Sequence, residues 1–375
     1  MEKYLGKIKL FSDLQKFKTI IKSNKTPLIV YDFDNTRKIL KIFHDVFSDR
    51  KYIKIFFAVK SNNNPRFLMF LSKYVDGFDT ASIEEYNLVK KLGKKISFTS
   101  PGVAIIDIET LINDNDVRVD FDSINQMTES IKRITMDEIG IRLNIPDFNI
   151  GTSRFGISLN QDTISELKKL TIPITSIHFH SEQKDENYTE SILNSIELLI
   201  ETKTIDANSI KTINLGGGFL NLLIDDKLSY IADFIEILKE QYFNINDNIQ
   251  FIIEPGSAIS IFSAYLLTEV LNIKNSDGKN SVVLNASSYN LSKWVNPIPI
   301  YYTSQSQQKK LYEIDGNTCY EKDIFLKDVS LKEMSINDKI ILFPFGAYTR
   351  SNYSNLHSMS LPLEAYYENG VIEYE

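Results

Sequence analysis

The sequence predicts an α/β chain, a (β/α)8 barrel of the TIM type followed by a mostly β domain, and three observations carry that reading. Eight short apolar runs, at 56–60, 77–81, 96–100, 117–122, 139–144, 176–180, 212–216 and 251–254, each end in small or polar residues. The stretches between them, such as Ser82-Ile83-Glu84-Glu85-Tyr86-Asn87-Leu88-Val89, carry helical periodicity. Runs of this length alternating with helices are the sequence form of βα units around a parallel sheet, and eight such units close a barrel. Past residue 259 the alternation stops, and strands follow without long helices at 281–284, 298–302, 311–314, 339–343 and 370–374. Segment 7–11 also reads as a strand, joining the second domain from the other end of the chain. The expected division is a barrel over 27–262 and a β domain built from 1–26 plus 263–375.

Composition removes several function classes. At 375 residues, 43% hydrophobic and 24% charged, the chain can bury one large core and a second, smaller one. A net charge of −7 with no basic block argues against a nucleic-acid partner, which needs clustered Lys and Arg. One cysteine excludes an intrachain disulfide framework and fits a reducing compartment. No apolar run follows the charged opening Met1-Glu2-Lys3-Tyr4, and the most apolar long stretch, 258–273, is too short for a bilayer and contains Glu269. The expectation is a cytoplasmic protein with no membrane partner.

Chemistry collects where the runs end. Active sites of such barrels lie at the carboxyl ends of the strands. Lys60 ends the first run, Asp79 lies in the second, Arg142 near the end of the fifth, His178 and His180 in the sixth, Gly216-Gly217-Gly218 after the seventh, and Glu254 closes the eighth. A lysine at the end of Ile55-Phe56-Phe57-Ala58-Val59, partly desolvated by apolar walls, can attack an aldehyde and hold it as a Schiff base. Taken singly, Lys60 reads as a solvated strand end, Asp79 as a helix cap and the histidines as core groups. Their convergence on one barrel face is what favours a site. The glycine run lets the backbone approach an anion closely, and Glu254-Pro255-Gly256-Ser257 supplies a second such turn beside a hydroxyl, so the two suggest one phosphate between them. No set of metal ligands stands out. Cys319 lies among turn-forming polar residues rather than in an apolar run, which favours a catalytic reading over a buried one.

Taken in order, Ala-Val-Lys-Ser-Asn around Lys60, Gly77-Phe78-Asp79-Thr80-Ala81-Ser82, Ser153-Arg154-Phe155-Gly156, His178-Phe179-His180, the Gly-Gly-Gly-Phe run, Glu-Pro-Gly, the spacing from Cys319 to Asp323, and Gly346-Ala347-Tyr348-Thr349 form a recognisable set. Over residues 27–357 the chain resembles the pyridoxal-phosphate decarboxylases of the ornithine, diaminopimelate and carboxynorspermidine type, with an alanine-racemase-like barrel. The resemblance implies pyridoxal 5'-phosphate as cofactor and a homodimer with two active sites at the interface. Lys60 would anchor the cofactor, Glu254 would keep its ring nitrogen protonated, and His180 would stack on its ring, with Arg142 and Asp79 beside them. Gly216, Gly217, Gly218, Gly256, Ser257 and Tyr348 would hold the phosphate, with Ser181 a looser candidate. Cys319 would come from the partner subunit and return a proton to the α-carbon after carbon dioxide leaves. Asp323, with Tyr320, Glu321 and Tyr289, would face the substrate.

The chain departs from the pattern on the substrate side. Ser257 stands where ornithine and diaminopimelate members usually have Arg after Glu-Pro-Gly, which removes a fixed cation for phosphate or carboxylate. Tyr320 replaces the acid that often follows the cysteine, with Glu321 displaced by one. His180-Ser181-Glu182-Gln183 shortens the usual His-Ile-Gly-Ser-Gln, and the segment 285–294 matches no familiar member. The resulting expectation is decarboxylation of an α-amino acid with an unusual distal group: a carboxylated polyamine, a diamino acid, or a citryl-diamino acid of siderophore assembly. An amino-acid racemase and a non-catalytic cofactor-binding relative are the alternatives.

Overall fold

The computed structural model describes residues 2–23, 25–145, 153–244 and 247–375, and divides into two units, 42–258 and 1–41 with 259–375. In the first, eight strands lie at or within a few residues of the apolar runs. After β1 (Leu28–Asp32), these are β2 (Ile53–Ala58), β3 (Gly77–Thr80), β4 (Lys95–Phe98), β5 (Val117–Phe121), β6 (Ile139–Leu143), β7 (Ile174–Phe179), β8 (Thr212–Asn214) and β9 (Gln250–Ile253). β2 to β9 pair in sequence order, all in parallel, and β9 closes on β2. Strand alternation sends Phe57, Phe78, Phe98 and Phe121 into the buried layer of the unit, each 2% exposed or less. Side chains of opposite parity meet across the lumen, where Asn214 on β8 donates to Ser97 Oγ on β4 at 3.2 Å.

Several βα loops end in a residue suited to starting a helix. Asn64 accepts from the Phe67 amide with Pro65 in the first turn, Ser82 accepts from Glu85, Ser123 from Gln126, and Asp185 from Tyr188. These caps fix where strand becomes loop, and so where the loop residues point.

The second unit holds the remaining strands: β10 (Ala264–Ser276), β11 (Lys279–Leu284), β12 (Ile298–Tyr302), β13 (Lys309–Asp315), β14 (Ile324–Lys332), β15 (Lys339–Phe343), β16 (Leu363–Glu368) and β17 (Val371–Tyr374). Among the described residues they form with β1 one nine-stranded sheet, ordered β14-β13-β11-β10-β1-β16-β17, with β15 joining β10 to β12. Two expectations change here. Segment 7–11 is part of the helix Glu2–Phe11: Lys7, Ile8 and Phe11 are buried while Leu10 is 58% exposed, a helical spacing that a five-residue window mistakes for a strand. β1, wholly buried, pairs antiparallel with β10 and in parallel with β16, so residues from 27 begin the β unit's sheet rather than the barrel. No helix of the described residues is long and apolar enough to cross a membrane.

Candidate active site

The barrel strands deliver their reactive side chains to one end. Lys60 lies in a single 3-10 turn, Val59–Ser61, just beyond β2, and Ser61 tightens that turn by donating Oγ to the Ala58 carbonyl at 2.9 Å. Its Nζ stands 3.9 Å from Asp79 Oδ2, with the lysine side chain 43% exposed and the aspartate 6%. The expected desolvation thus falls on the partner rather than on the amine. Burial pushes the Asp79 carboxyl above its ordinary range, against the pull of Lys60 and Arg142.

Glu254 closes the opposite side of the cluster. It is 1% exposed and accepts from Asn214 Nδ2 at 2.5 Å. Burial, reinforced by the charge of Asp79, raises its carboxyl to about 8, so it holds a proton at neutral pH. Buried His178 shares Nδ1 with Thr99 Oγ1 at 3.0 Å, while its Nε2 has no hydrogen-bond partner and lies 3.6 Å from Glu254 Oε2. Burial, then the cations Arg142, Lys60 and Lys184, hold this imidazole neutral. One ligand atom from each of His178, His180 and Glu254 lies within 4.8 Å of the others, a metal-like grouping that the residue pattern did not single out.

Arg142 NH1 reaches Asp122 Oδ1 at 3.3 Å, and that same oxygen accepts from the Gly156 amide at 3.1 Å. The guanidinium lies 5.0 Å over the Phe155 ring. Ser153-Arg154-Phe155-Gly156 is therefore drawn back onto the end of β6. Gly216 and Gly218 adopt φ of 64° and 91°, and an added Cβ would come within 2.5 Å of the Phe179 carbonyl and 2.2 Å of the Ser181 carbonyl. The Gly217 amide donates to His180 Nδ1 at 3.2 Å, which fixes the acceptor side of that ring. At Gly256 a Cβ would press on Ala58 and Ser61, so this glycine lets the eighth strand end lie against the lysine turn. Ser257 opens a four-residue helical turn, and Ser181 Oγ accepts from the Gln183 amide.

In the β unit the expected substrate residues divide. Cys319 is exposed, and its amide donates to His357 Nε2 at 3.1 Å. Tyr320 and Glu321 are exposed, with the Tyr320 ring 4.7 Å from that of Tyr289. Tyr348, at φ 58°, meets Trp294 edge to face at 5.0 Å. Asp323 is different. It is 3% exposed, and its carboxylate accepts from the Tyr289 amide (2.9 Å), the Thr318 amide (3.0 Å) and Thr318 Oγ1 (2.6 Å). Asp323 thus clamps its loop, with three donors on a carboxylate that water scarcely reaches.

Residues 35–261 match the family described as pyridoxal-dependent decarboxylase, pyridoxal binding domain. The chain belongs to this family. The decarboxylase acts on an amino acid and uses pyridoxal 5'-phosphate. It is 25% identical to the diaminopimelate decarboxylase of Helicobacter pylori, over 93% of this chain and 92% of that one. It is 24% identical to the 2-[(L-alanin-3-ylcarbamoyl)methyl]-2-hydroxybutanedioate decarboxylase of Staphylococcus aureus, over 88% and 91%. The crystal structure of diaminopimelate decarboxylase from M. jannaschii with L-lysine shares the fold, with a TM-score of 0.81 at 20% identity over 96% of this chain and 91% of that chain.

The barrel residues fit the cofactor. The turn at 216–218 tolerates no side chain at its two left-handed glycines, and a proton-holding carboxyl stands beside the orphaned, buried His178 Nε2. Strand-end reasoning expected Lys60, Asp79, Arg142, both histidines and Glu254, and the structure brings these side chains to the same end of the barrel. It did not single out Asn214, Thr99 and Asp122, which occupy the same strand ends but belong to residue types that are usually structural, or Lys184, which directly follows Ser181-Glu182-Gln183 but is of a type that is usually exposed.

Proposed function

We propose that the decarboxylase acts on an α-amino acid whose distal end is a carboxylate-bearing group rather than a free amine, as in a citryl-diamino acid. The observation that carries this reading is the buried carboxylate of Asp323, already held by three donors of its own chain. A cationic distal group is gripped best by a desolvated acid that is free to receive it, whereas the nearby Glu321 is exposed to solvent, where an ion pair contributes little. Segment 285–294 contains no acid and one lysine, Lys293, whose ammonium lies 4.8 Å from the centre of the Tyr289 ring. The Staphylococcus aureus relative, named for a hydroxybutanedioate, supports the same choice. A carboxylated polyamine and a simple diamino acid are the neighbouring possibilities, and the pathway is siderophore assembly or polyamine synthesis accordingly.

The roles follow from the chain's own chemistry. Pyridoxal 5'-phosphate, when bound, supplies a sink for the electron pair left as carbon dioxide departs. Lys60 presents its amine to the cofactor's aldehyde from the exposed side of its turn. Glu254 holds its proton where the ring nitrogen needs one, and Asn214 keeps the carboxyl aimed. His180, fixed through Nδ1, presents its ring face, while Arg142 and Asp79 balance charge around it. The glycine turn, Gly256, Ser257 and Tyr348 receive the phosphate. Cys319, exposed on its own chain, delivers a proton to the α-carbon across a homodimer interface. Tyr289, Tyr320 and Glu321 border the substrate's distal end.

Carbon dioxide release from a panel of ornithine, diaminopimelate, carboxylated polyamines and citryl conjugates tests this. Citryl conjugates are expected to turn over fastest. Preferred turnover of ornithine or diaminopimelate overturns the substrate reading and leaves the family assignment intact.

A further inference from the structure

We propose that Lys184 is the buried cation of the phosphate pocket, acting from behind the Gly216-Gly217-Gly218 turn in place of the guanidinium that Ser257 does not supply. The proposal rests on the reading of that turn as the phosphate seat.

Lys184 lies in the loop after β7 and is 5% exposed. Its Nζ donates to the Leu215 carbonyl at 2.7 Å and the Ser181 carbonyl at 3.4 Å, and stands 3.7 Å from the centre of the Tyr188 ring. Both carbonyls belong to the walls of the glycine turn: Leu215 precedes Gly216, and the Ser181 carbonyl is the atom that a Cβ on Gly218 would strike. Among the described residues no carboxylate pairs with this ammonium, whose polar contacts are two neutral carbonyls. A lysine this buried is seldom left without a counter-charge, since desolvation of an unpaired ammonium is costly. Burial accordingly pulls its pKa far down, opposed only by Glu254. A surface lysine would need no partner; this one calls for an anion, and the anion-receiving feature it abuts is the glycine turn. A dianionic phosphate there would supply the missing charge through a low-dielectric layer, where Coulomb attraction is strong. Burial thus weakens the amine's hold on its proton in the cofactor-free protein, and a bound dianion would strengthen it.

The test separates charge from packing. In Lys184→Met and Lys184→Gln, affinity for pyridoxine 5'-phosphate, which has no aldehyde for Lys60, is expected to fall roughly tenfold or more, with affinity for unphosphorylated pyridoxine changed less than about twofold. Lys184→Arg should retain most of the phosphate preference. Equal losses for both ligands, or none, overturn the proposal. If the neutral variants do not fold, calorimetry on the unaltered protein at several pH values from 8 to 10, in buffers of differing ionisation heat, decides. The titratable groups facing Lys184 are Glu254, Tyr188, His178 and His180. Pyridoxine cancels their protons, and free phosphate is already a dianion there, its second pKa being about 6. Extra proton uptake with the phosphorylated ligand is expected within that range, and its absence at every pH overturns the proposal. Failure of the unaltered protein to bind either ligand would instead strike the cofactor reading itself.

Discussion

The end of the barrel and the loop around Cys319 carry chemistry in opposite ways. At the barrel end Asp79, His178 and Glu254 are each 5% exposed or less, and their positions are enforced by Asn214, Thr99 and glycines whose conformations few other residues can adopt. Around Cys319 the backbone is the fixed part: Asp323 clamps it through Thr318 and Tyr289, while the cysteine, Tyr320 and Glu321 face outward. Buried electrostatics set the cofactor's chemistry once, whereas an outward-facing loop on a rigid clamp lets the substrate end vary at little cost to folding.

Glu254→Gln should break the barrel half hardest, lowering turnover by roughly 10²- to 10⁴-fold with the cofactor still bound. The same variant reports on the burial of the carboxyl. With a folded pKa raised to about 8, above its unfolded value, Glu254 binds more protons folded than unfolded, so its contribution to stability is full below the unfolded value and is lost as pH rises toward 8. In thermal melts of the cofactor-free protein, the glutamine variant should therefore gain on the parent between pH 5 and 8. A constant difference across that range would mean that the carboxyl titrates normally.

Asn214→Ala leaves Glu254 without its donor and should slow turnover by roughly tenfold, matching the loss of about 1–3 kcal/mol for a buried hydrogen bond to an ionisable group. Steady-state rates with unchanged cofactor affinity would check it. On the other side of the comparison, Asp323→Ala orphans three donors and should cost about 1–3 kcal/mol in thermal stability, with a loosened loop and a raised KM. If Asp323 instead gripped the substrate, stability would hold while KM alone rose.

How much could be read from the sequence divides along the same line. The eight strand ends were legible because buried parallel strands are continuous apolar runs, and a reactive residue at such an end has few other reasons to be there. β1 was hidden because its run, Leu28-Ile29-Val30-Tyr31-Asp32, has the look of any βα strand, and only its pairing with β10 and β16 shows where it belongs. The clamp at Asp323 was not legible because an acid four residues from a cysteine carries no sign of which donors its oxygens will meet. Lys184 was invisible because burial of a loop lysine depends on Tyr188, Phe219 and Leu215, which come together only in the folded barrel.

The most direct measurement is to reduce the cofactor-loaded protein with borohydride and map the modified peptide by mass. A phosphopyridoxyl group on Lys60, lost in Lys60→Ala together with turnover, is the expected result. The same group on Lys184 or any other lysine, or on none, would contradict the assignment of Lys60 as the cofactor's anchor.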